Sequence, residues 1–266
     1  MKKIVDLMSL KGRRALITGA IGAIGKEIVL TIAELGGDLI LVDRPNSDYE
    51  PIKKLILDNW RVDIECIDCD LEDENSRVNL IKEVIKSNVN LDILINNAAF
   101  VGESNLEGWS EDFDKQSVET WKRAVEVNLT APFHLCQAFT PLLKRGKVGS
   151  IINIASIYGV NAPDYSLYEG TSMGNPAGYS ASKGGLIQLT RWLATTIAPD
   201  IRVNSISPGG VYRSQPSEFV ERYEAKTSLG RMATEEDFKG VNAYLSSDLS
   251  SYVTGQNIVV DGGWST

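Results

Sequence analysis

A tyrosine and a lysine four residues apart are the strongest candidates for chemistry in this sequence. Tyr179 and Lys183 lie in the segment Tyr-Ser-Ala-Ser-Lys, and residues i and i+4 of a helix lie one above the other on the same face. An unperturbed phenol has a pKa near ~10, too high for a base at neutral pH. A nearby ammonium favours the phenolate, so the pair could act as a general acid/base. The same spacing also fits an ordinary pair on a helix surface.

Three further polar positions lie at the ends of apolar segments or within them. Ser156 follows the apolar run 150–154, where its hydroxyl could hold a substrate oxygen. Asn128 interrupts an otherwise apolar helical segment, and Asn97 comes just after a short apolar run. Acid/base chemistry needs groups that position the reacting oxygen, so these residues strengthen the interpretation of the tyrosine and lysine pair.

Composition excludes several classes of function. The 266 residues include one histidine, so a metal site built from several histidines is impossible. A net charge of −8, from 35 acidic and 27 basic residues, disfavours a nucleic-acid partner. No segment approaches the ~18 uninterrupted apolar residues of a membrane span. Three cysteines without a secretion signal predict a cytoplasmic location. We therefore expect no metal, no nucleic acid and no membrane contact.

Two conspicuous features are interpreted as ordinary structural positions. Cys66 and Cys69 form a CxxC pair, but it lies at the end of a predicted strand rather than at a helix amino terminus, where thiolates are activated. No second Cys/His pair stands nearby to complete a zinc site. The single histidine, His134, faces apolar neighbours in a predicted helix, which favours packing over catalysis.

Strand-like and helix-like segments alternate along the whole chain, which predicts an α/β fold. The predicted strands span 14–18, 38–42, 62–67, 91–95, 148–154, 201–206 and 257–260. Continuous Val/Ile/Leu strands separated by helices indicate a parallel sheet covered on both faces. No linker or repeat divides the chain, so 1–266 is expected to form one domain. Two longer polar stretches, 159–178 and 209–234, are expected to form substrate-site loops beyond the carboxyl ends of the strands.

The first predicted strand runs into a glycine loop that is typical of dinucleotide binding. The segment 18–25 carries glycine at 19, 22 and 25 and opens a helical pattern. Glycine allows the tight turn, the approach of backbone to a pyrophosphate and the close packing of helix on strand, and the helix amino terminus then faces the anion. A tight turn without a ligand is the alternative, but the position after the first strand of an alternating chain favours a cofactor.

Asp43 bears on which dinucleotide is bound. It ends the second predicted strand, 18 residues beyond Gly25, where an acidic residue accepts hydrogen bonds from an adenosine ribose. Its carboxylate would repel a 2′-phosphate, whereas the guanidinium of the adjacent Arg44 could accept one. NAD is therefore favoured over NADP.

Together these motifs resemble the short-chain dehydrogenase/reductase family over essentially the whole chain. The matching residues are the glycine loop 18–25, Asp70-Leu71, Asn-Asn-Ala-Ala from Asn96, Asn128, Ser156, Tyr179 with Lys183, and Pro208-Gly209. The resemblance implies a single-domain Rossmann fold, whose doubly wound parallel seven-stranded sheet has the order 3-2-1-4-5-6-7 with helices on both faces. It further implies an NAD(P)-dependent oxidoreductase acting on a small-molecule secondary alcohol or ketone, as a homotetramer or homodimer.

The resemblance also implies a role for each matched residue. Tyr179 is expected to be the general acid/base, and Lys183 to lower its pKa and bind the nicotinamide ribose. Ser156 is expected to position the reacting oxygen, and Asn128 to hold a water that relays protons. The expected cofactor contacts are Gly19, Ile21, Gly22, Ala23, Ile24, Gly25, Asp43, Asp70, Leu71, Asn97, Ala98, Tyr179, Lys183, Pro208, Gly209 and Val211. The expected substrate contacts are Ser156, Tyr158, Tyr168 and Tyr179.

Three features depart from the family pattern. Ala23 replaces the family's middle glycine, and Arg213 stands where a threonine often contacts the cofactor. Ser156 and Tyr179 are 23 residues apart, which is longer than usual, and the excess is polar, acidic and rich in tyrosine. Amides and carboxylates bind hydroxyls, and tyrosine faces stack against the C–H surfaces of sugar rings, so this insert favours a hydroxylated substrate. A solvated surface loop is the alternative.

The insert itself resembles oxidoreductases of the flagellin modification protein A type, which are associated with bacterial surface-sugar (nonulosonate) biosynthesis. A sugar or sugar derivative is therefore the expected substrate. Two alternatives remain open. A 3-oxoacyl (acyl-carrier) reductase is disfavoured by Asp43 and the acidic insert. A catalytically silent NAD-binding regulatory or assembly protein is disfavoured by the complete set of candidate catalytic residues.

Overall fold

Strands and helices alternate along residues 1–87, 90–101, 106–146 and 149–266, which are the part of the chain described by this computed structural model. The strands in this part are β1 (Arg14–Thr18), β2 (Asp38–Asp43), β3 (Ile64–Asp68), β4 (Ile93–Asn96), β5 (Gly149–Ile154), β6 (Ile201–Pro208) and β7 (Asn257–Val260). The α-helices are α1 (Ile4–Met8), α2 (Ala23–Glu34), α3 (Glu50–Asn59), α4 (Glu74–Lys86), α5 (Val118–Val125), α6 (Ala131–Leu143), α7 (Ala177–Thr196), α8 (Ser217–Lys226) and α9 (Lys239–Ser246).

The strands of the described residues form one parallel sheet in the order 3-2-1-4-5-6-7, which confirms the sequence expectation. At its centre, Ile17 of β1 lies between Leu41 of β2 and Ile95 of β4. The order of the strands reverses between β1 and β4, and open α/β sheets form a ligand crevice at such a point.

Apolar side chains cover both faces of the sheet, because successive residues of a strand point to opposite sides. On one face, alternate strand residues pack against α4, α6 and α7, for example Leu94 against Phe139 and Leu193. On the other face, the intervening residues pack against α2, α3 and α9, for example Ile17 with Ile32. The doubly wound arrangement follows from strands that are apolar at nearly every position.

Several predicted boundaries differ from the structure. The strands predicted at 62–67 and 91–95 begin two residues later, because an apolar pattern marks burial rather than backbone pairing. The strand predicted from 148 is seen from Gly149, and Val148 lies outside the described residues. The helix expected around 121–129 gives way to a π-helical turn, Glu126–Thr130, and the polar stretch 209–234 contains α8.

The carboxyl ends of β1, β2, β4, β5 and β6 meet at one edge of the sheet. Thr18, Asp43, Asn96 and Pro208 end four of these strands, and Ser156 follows the fifth by two residues. The fold therefore brings together polar groups that are up to 190 residues apart in the sequence. None of the helices in the described part of the chain is long and apolar enough to cross a membrane.

Candidate active site

The glycine loop at the end of β1 requires glycine at two positions. Gly19 has a φ of +64°, and a Cβ placed on it would lie 2.8 Å from the Cα of Ala98. A Cβ on Gly25, in the first turn of α2, would lie 1.9 Å from the carbonyl oxygen of Gly19. These contacts hold the start of α2 against the loop, as close packing of helix on strand demands.

Thr18 and Asn97 join the ends of β1 and β4. The Thr18 hydroxyl accepts hydrogen bonds from the backbone N–H groups of Asn97 and Ala98, each at 3.1 Å. In return, Asn97 Nδ2 donates to the carbonyl oxygens of Thr18 and Gly19 at 2.9 Å. Thr18 belongs to the glycine motif, but the sequence does not predict it as a site residue. It takes this role because β1 and β4 are neighbours in the sheet.

The amino terminus of α2 is suited to an anion. The helix begins after Gly22, and no side chain caps its first amide groups. Ala23 stands in this first turn, and its methyl replaces a hydrogen in the family's loop. Uncapped N–H groups and the positive end of the helix dipole are what a pyrophosphate needs, so this donor set fits a dinucleotide.

The Asp43 carboxylate lies beside the same loop. Its Oδ2 accepts a hydrogen bond from the backbone N–H of Ile21 at 2.8 Å, and its Oδ1 accepts one from the N–H of Arg44 at 2.8 Å. The carboxylate is therefore fixed at the carboxyl end of β2. A fixed anion at this position presents acceptors to ribose hydroxyls and repels a phosphate.

The remaining residues expected at the cofactor lie at neighbouring strand ends. Asp70 is exposed and accepts from the N–H of Glu72 at 2.9 Å, while Leu71 is buried. The N–H of Gly209 donates to Val260 in β7, and Val211 forms a parallel bridge with Ala233. These segments flank the crevice on either side of β1 and β4.

Tyr179 and Lys183 lie on the first turns of α7, with the Lys183 Nζ 5.8 Å from the centre of the Tyr179 ring. The lysine is 2% exposed, and its Nζ donates to the carbonyl oxygen of Ile154 at 2.7 Å. Burial lowers the pKa of Lys183 to about 7, because the charged amine has left water. The α7 register thus places the two groups together, as their spacing predicts.

The pKa of Tyr179 is raised in this structure, chiefly by burial. A hydrogen bond with Ser156 and the positive charge of Arg213 both act to lower it. The sequence predicts that Lys183 lowers this pKa. Among the described residues, the groups that lower it are Ser156 and Arg213. In the sequence, Arg213 is a departure from the family pattern. That departure is the only sign in the sequence that Arg213 acts on the phenol.

Asn128 lies at the centre of the π-helical turn and is fully buried. Its Oδ1 accepts from the N–H of Phe100 at 2.6 Å, and its Nδ2 donates to the carbonyl of Phe100 at 3.2 Å and to the Ser182 hydroxyl at 3.1 Å. A π turn breaks the regular backbone hydrogen bonding of a helix and is common at functional sites. Asn128 thereby links the end of β4 to α7.

Ser156 and the two tyrosines expected at the substrate form a connected group. The N–H of Tyr158 donates to the Ser156 hydroxyl at 3.1 Å, and the Tyr158 and Tyr168 hydroxyls are 2.5 Å apart. Tyr168 is 9% exposed, and its ring packs 5.4 Å from that of Phe219 in α8. The structure thus places Tyr158 and Tyr168 together, with the ring of Tyr168 in an apolar cluster.

Helix α8 holds the insert in place. Arg222 Nη1 donates to the carbonyl of Glu169 at 2.5 Å, and Lys226 forms an ion pair with Asp164 at 2.6 Å. The insert also carries a short 3₁₀ helix, Tyr165–Tyr168, rather than being irregular throughout. It is therefore a packed segment, joined to the stretch 209–234 by side chains of both.

The two cysteines and the histidine that were given no catalytic role make other contacts. Cys66 and Cys69 are free thiols, and burial raises the pKa of each. His134 is half-buried on α6 and accepts a hydrogen bond from Arg77 Nε at 3.4 Å.

Comparison with known proteins agrees with this geometry. Residues 19–265 match the family model described as enoyl-(acyl carrier protein) reductase. The 3-oxoacyl-acyl-carrier-protein reductase FabG of Rickettsia conorii is 32% identical over 97% of this chain and 98% of that protein. The chain belongs to the short-chain dehydrogenase/reductase family. It is an oxidoreductase of that family, with the expected fold.

Other members of the family are similarly related. Post-translational flagellin modification protein A of Campylobacter coli is 30% identical over 96% of this chain and 99% of that protein. A short-chain dehydrogenase from Leptospira borgpetersenii, solved with bound NAD+, has a TM-score of 0.84 and 34% identity over 100% of this chain and 97% of that one. The NADPH-dependent 3-quinuclidinone reductase of Rhodotorula rubra has a TM-score of 0.86 and 27% identity over 99% and 95%. Both nicotinamide dinucleotides thus occur among its structural relatives.

Proposed function

We propose that this protein transfers hydride between NAD(H) and a secondary alcohol or ketone of a sugar or sugar derivative, in the biosynthesis of a bacterial surface glycan. The observation that carries the oxidoreductase chemistry is the meeting of Ser156, Tyr179 and Lys183 at the carboxyl edge of the sheet. Ser156 follows the end of β5 by two residues, and Tyr179 and Lys183 lie on α7, so regular elements set the geometry of the group before substrate arrives.

In the proposed mechanism, Tyr179 exchanges the proton of the reacting oxygen. The Ser156 hydroxyl hydrogen-bonds that oxygen and orients it toward the phenol, and the positive charge of Arg213 favours the phenolate. Lys183 is proposed to hold the nicotinamide ribose of the bound cofactor. Asn128 holds a water that carries the proton onward from the site. A bound NAD would supply the hydride acceptor, and Tyr179 would take up one proton from the substrate hydroxyl in oxidation and return one in reduction.

NAD is proposed over NADP because of Asp43. Its carboxylate is held by the amides of Ile21 and Arg44, so it cannot easily turn away from a 2′-phosphate. The other cofactor contacts proposed are those that the family resemblance implies. A comparison of Kd for NADH and NADPH by tryptophan fluorescence tests the preference, and tighter binding of NADPH would contradict it.

The sugar substrate is supported by the insert and by one relative. Segments 159–178 and 209–234 are proposed as substrate-site loops, and Ser156, Tyr158, Tyr168 and Tyr179 as substrate contacts. Tyr158 and Tyr168 supply hydroxyls near the acid/base rather than an open apolar channel. The flagellin modification protein of Campylobacter coli, of similar length, gives the surface-glycan context.

A 3-oxoacyl-acyl-carrier-protein reductase is the second candidate. The Rickettsia conorii relative carries that name at 32% identity, which supports it as well as the flagellin relative supports the first. The aromatic cluster of Phe219, Tyr223 and Trp264 beneath the insert is an apolar surface that an acyl chain could reach if the insert moved.

One assay separates the candidates. Purified protein is screened with NAD+ and NADP+ against free and nucleotide-linked sugars, and with NADH and NADPH against an acetoacetyl thioester. We expect turnover of a sugar with NAD+ and its loss, by about 10³-fold or more, in Tyr179→Phe. Turnover of the thioester with NADPH alone would favour the second candidate. No turnover of any substrate above the level of Tyr179→Phe would contradict both candidates and favour a catalytically silent protein.

A homotetramer or homodimer in the cytoplasm is proposed for the working enzyme. Trp121 on α5 and Trp192 on α7 are 42% and 55% exposed, although these helices pack against each other. Large exposed aromatic side chains are typical of surfaces buried by a partner. The free thiols Cys66, Cys69 and Cys136 suit a reducing compartment.

A further inference from the structure

A polar group formed by Tyr158, Tyr168 and Asn175 lies next to the acid/base. The phenol oxygens are 2.5 Å apart, and the backbone N–H of Tyr158 donates to the Ser156 hydroxyl at 3.1 Å. Asn175 immediately precedes Pro176, the residue before α7, and is 5% exposed. Three segments therefore bring two phenols and an amide together near the reacting oxygen.

The amide of Asn175 faces the two phenols with its donor end. Its Oδ1 accepts a hydrogen bond from the Ser180 hydroxyl at 3.0 Å, which fixes the orientation of the amide. Its Nδ2 is shielded from solvent and has no acceptor at full hydrogen-bonding geometry among the described residues. This amide affects Tyr158 and Tyr168, because Asn175 lowers the pKa of both phenols, whereas burial raises the pKa of both.

The number of polar hydrogens on the two phenols and the amide limits which of these groups can donate and which must accept. An amide nitrogen only donates, so each phenol oxygen that faces Asn175 acts as an acceptor toward it. One phenol hydrogen is used in the bond between the two tyrosines, and the other phenol hydrogen remains. Either phenol can be the donor in that bond, and Tyr158 is the more exposed of the two and adjoins Ser156 through its backbone N–H, so its hydroxyl is the one that can reach a substrate.

We infer that the Tyr158 hydroxyl, held by Tyr168 and Asn175, hydrogen-bonds a second oxygen of the substrate, on the carbon adjacent to the one that is oxidised or reduced. The substrate class that fits is a vicinal diol, an α-hydroxyketone or an α-hydroxyacid, each of which presents an acceptor next to the reacting oxygen. This inference rests on the proposed oxidoreductase function and narrows its substrate. Tyr158 determines specificity, and Asn175 is a positioning residue.

Matched substrates test the inference. The variant Tyr158→Phe is compared with the unaltered protein on 1,2-cyclohexanediol and on cyclohexanol, or on the sugar found by the screen and its deoxy analogue. Loss of one neutral hydrogen bond lowers kcat/KM for the diol by roughly 5- to 10-fold, and the expected change for the analogue is none. Tyr252→Phe, on a fully exposed tyrosine outside both substrate-site loops, is the control and leaves both rates unchanged.

Asn175 is tested by the same ratio of rates. Asn175→Ala lowers the preference for the diol in the same direction, and it adds nothing in a Tyr158→Phe background, because both act through one hydroxyl. Equal losses on both substrates would overturn the inference, because they would indicate a general structural role. An unchanged ratio in Tyr158→Phe would also overturn it. Both outcomes leave the oxidoreductase function intact, whereas that function fails if Tyr179→Phe retains full activity.

Discussion

Lys183 is needed for the proposed chemistry, but burial of its charged amine lowers the stability of the folded protein. Burial of this amine lowers its pKa from 10.5 to about 7, and a single carbonyl, that of Ile154, accepts its hydrogen bond among the described residues. Below pH 7 the amine is charged in both the folded and the unfolded chain, and the folded state bears the full desolvation penalty. Between pH 7 and 10.5 the unfolded chain holds the extra proton, so this penalty falls as pH rises.

The variant Lys183→Met is therefore expected to be more stable but inactive. At pH 6 the free energy of unfolding rises by on the order of 2 kcal/mol, after the lost hydrogen bond is subtracted from the desolvation penalty. The gain shrinks toward pH 10.5, where the amine of the unaltered protein is neutral. Urea unfolding at pH 6 and pH 10 measures the difference, and a gain that is equal at both values would contradict the assignment of the penalty to charge.

Arg213 acts on the same phenol from the loop after β6. Its guanidinium lowers the pKa of Tyr179 and pairs with Glu235 at 3.2 Å. In Arg213→Leu, the acidic limb of the pH profile of kcat/KM for alcohol oxidation is expected to move to higher pH, because the phenolate loses a favourable charge.

Two companion variants make the test of Arg213 specific. Arg213→Lys keeps the charge and should keep the limb near its original position. Glu235→Gln removes the charge that partly neutralises Arg213, so the limb should move to lower pH. An identical profile for Arg213→Leu and the unaltered protein would show that the arginine does not influence the acid/base.

At the scale of elements, the junction of β1 with α2 depends on the absence of a side chain at Gly25. The methyl group of an alanine would overlap the Gly19 carbonyl and crowd Asn97 Nδ2, which itself holds the ends of β1 and β4 together. The loop would have to move away from the helix, and the amides that suit a pyrophosphate would move with it.

Gly25→Ala is expected to lower the free energy of unfolding by roughly 1–3 kcal/mol and to weaken dinucleotide binding. Gly240→Ala, in α9, is the matched control, because a methyl group there meets nothing within 4 Å. The control should leave binding unchanged and raise stability by at most about 1 kcal/mol. Thermal unfolding with and without NAD+ measures both quantities, and similar behaviour of the two variants would contradict the steric argument.

At the scale of the whole molecule, α5 and α7 combine an inner face that carries the site with an outer face that carries exposed aromatic residues. Asn128 follows α5 directly, and Tyr179 and Lys183 lie on α7, while Trp121 and Trp192 point outward from the same helices. A partner that covers the outer face would therefore also restrain the elements of the site.

Trp121→Glu with Trp192→Glu is expected to reduce the oligomeric mass, because a charge buried at an interface without a partner is costly. Leu57→Glu, on an exposed residue of α3 on the other face of the sheet, is the control and should leave the mass unchanged. Sedimentation velocity measures the mass. An unchanged mass in the double variant would place the interface elsewhere.

The sequence by itself determined the alternation of strands and helices, the glycine loop and the Tyr179–Lys183 pair, because each depends on local periodicity or short spacing that the chain carries wherever it folds. The order of the strands followed from the family resemblance of these motifs. Only the tertiary structure decided that Tyr158 meets Tyr168 and Asn175, that Arg213 lies beside Tyr179, and that α8 holds the insert. These contacts join residues 10 to 62 positions apart and depend on how packed elements approach each other, which no local pattern records. The helix α8 and the π turn at Asn128 were missed for the same reason, since both are stabilised by neighbours rather than by their own residues.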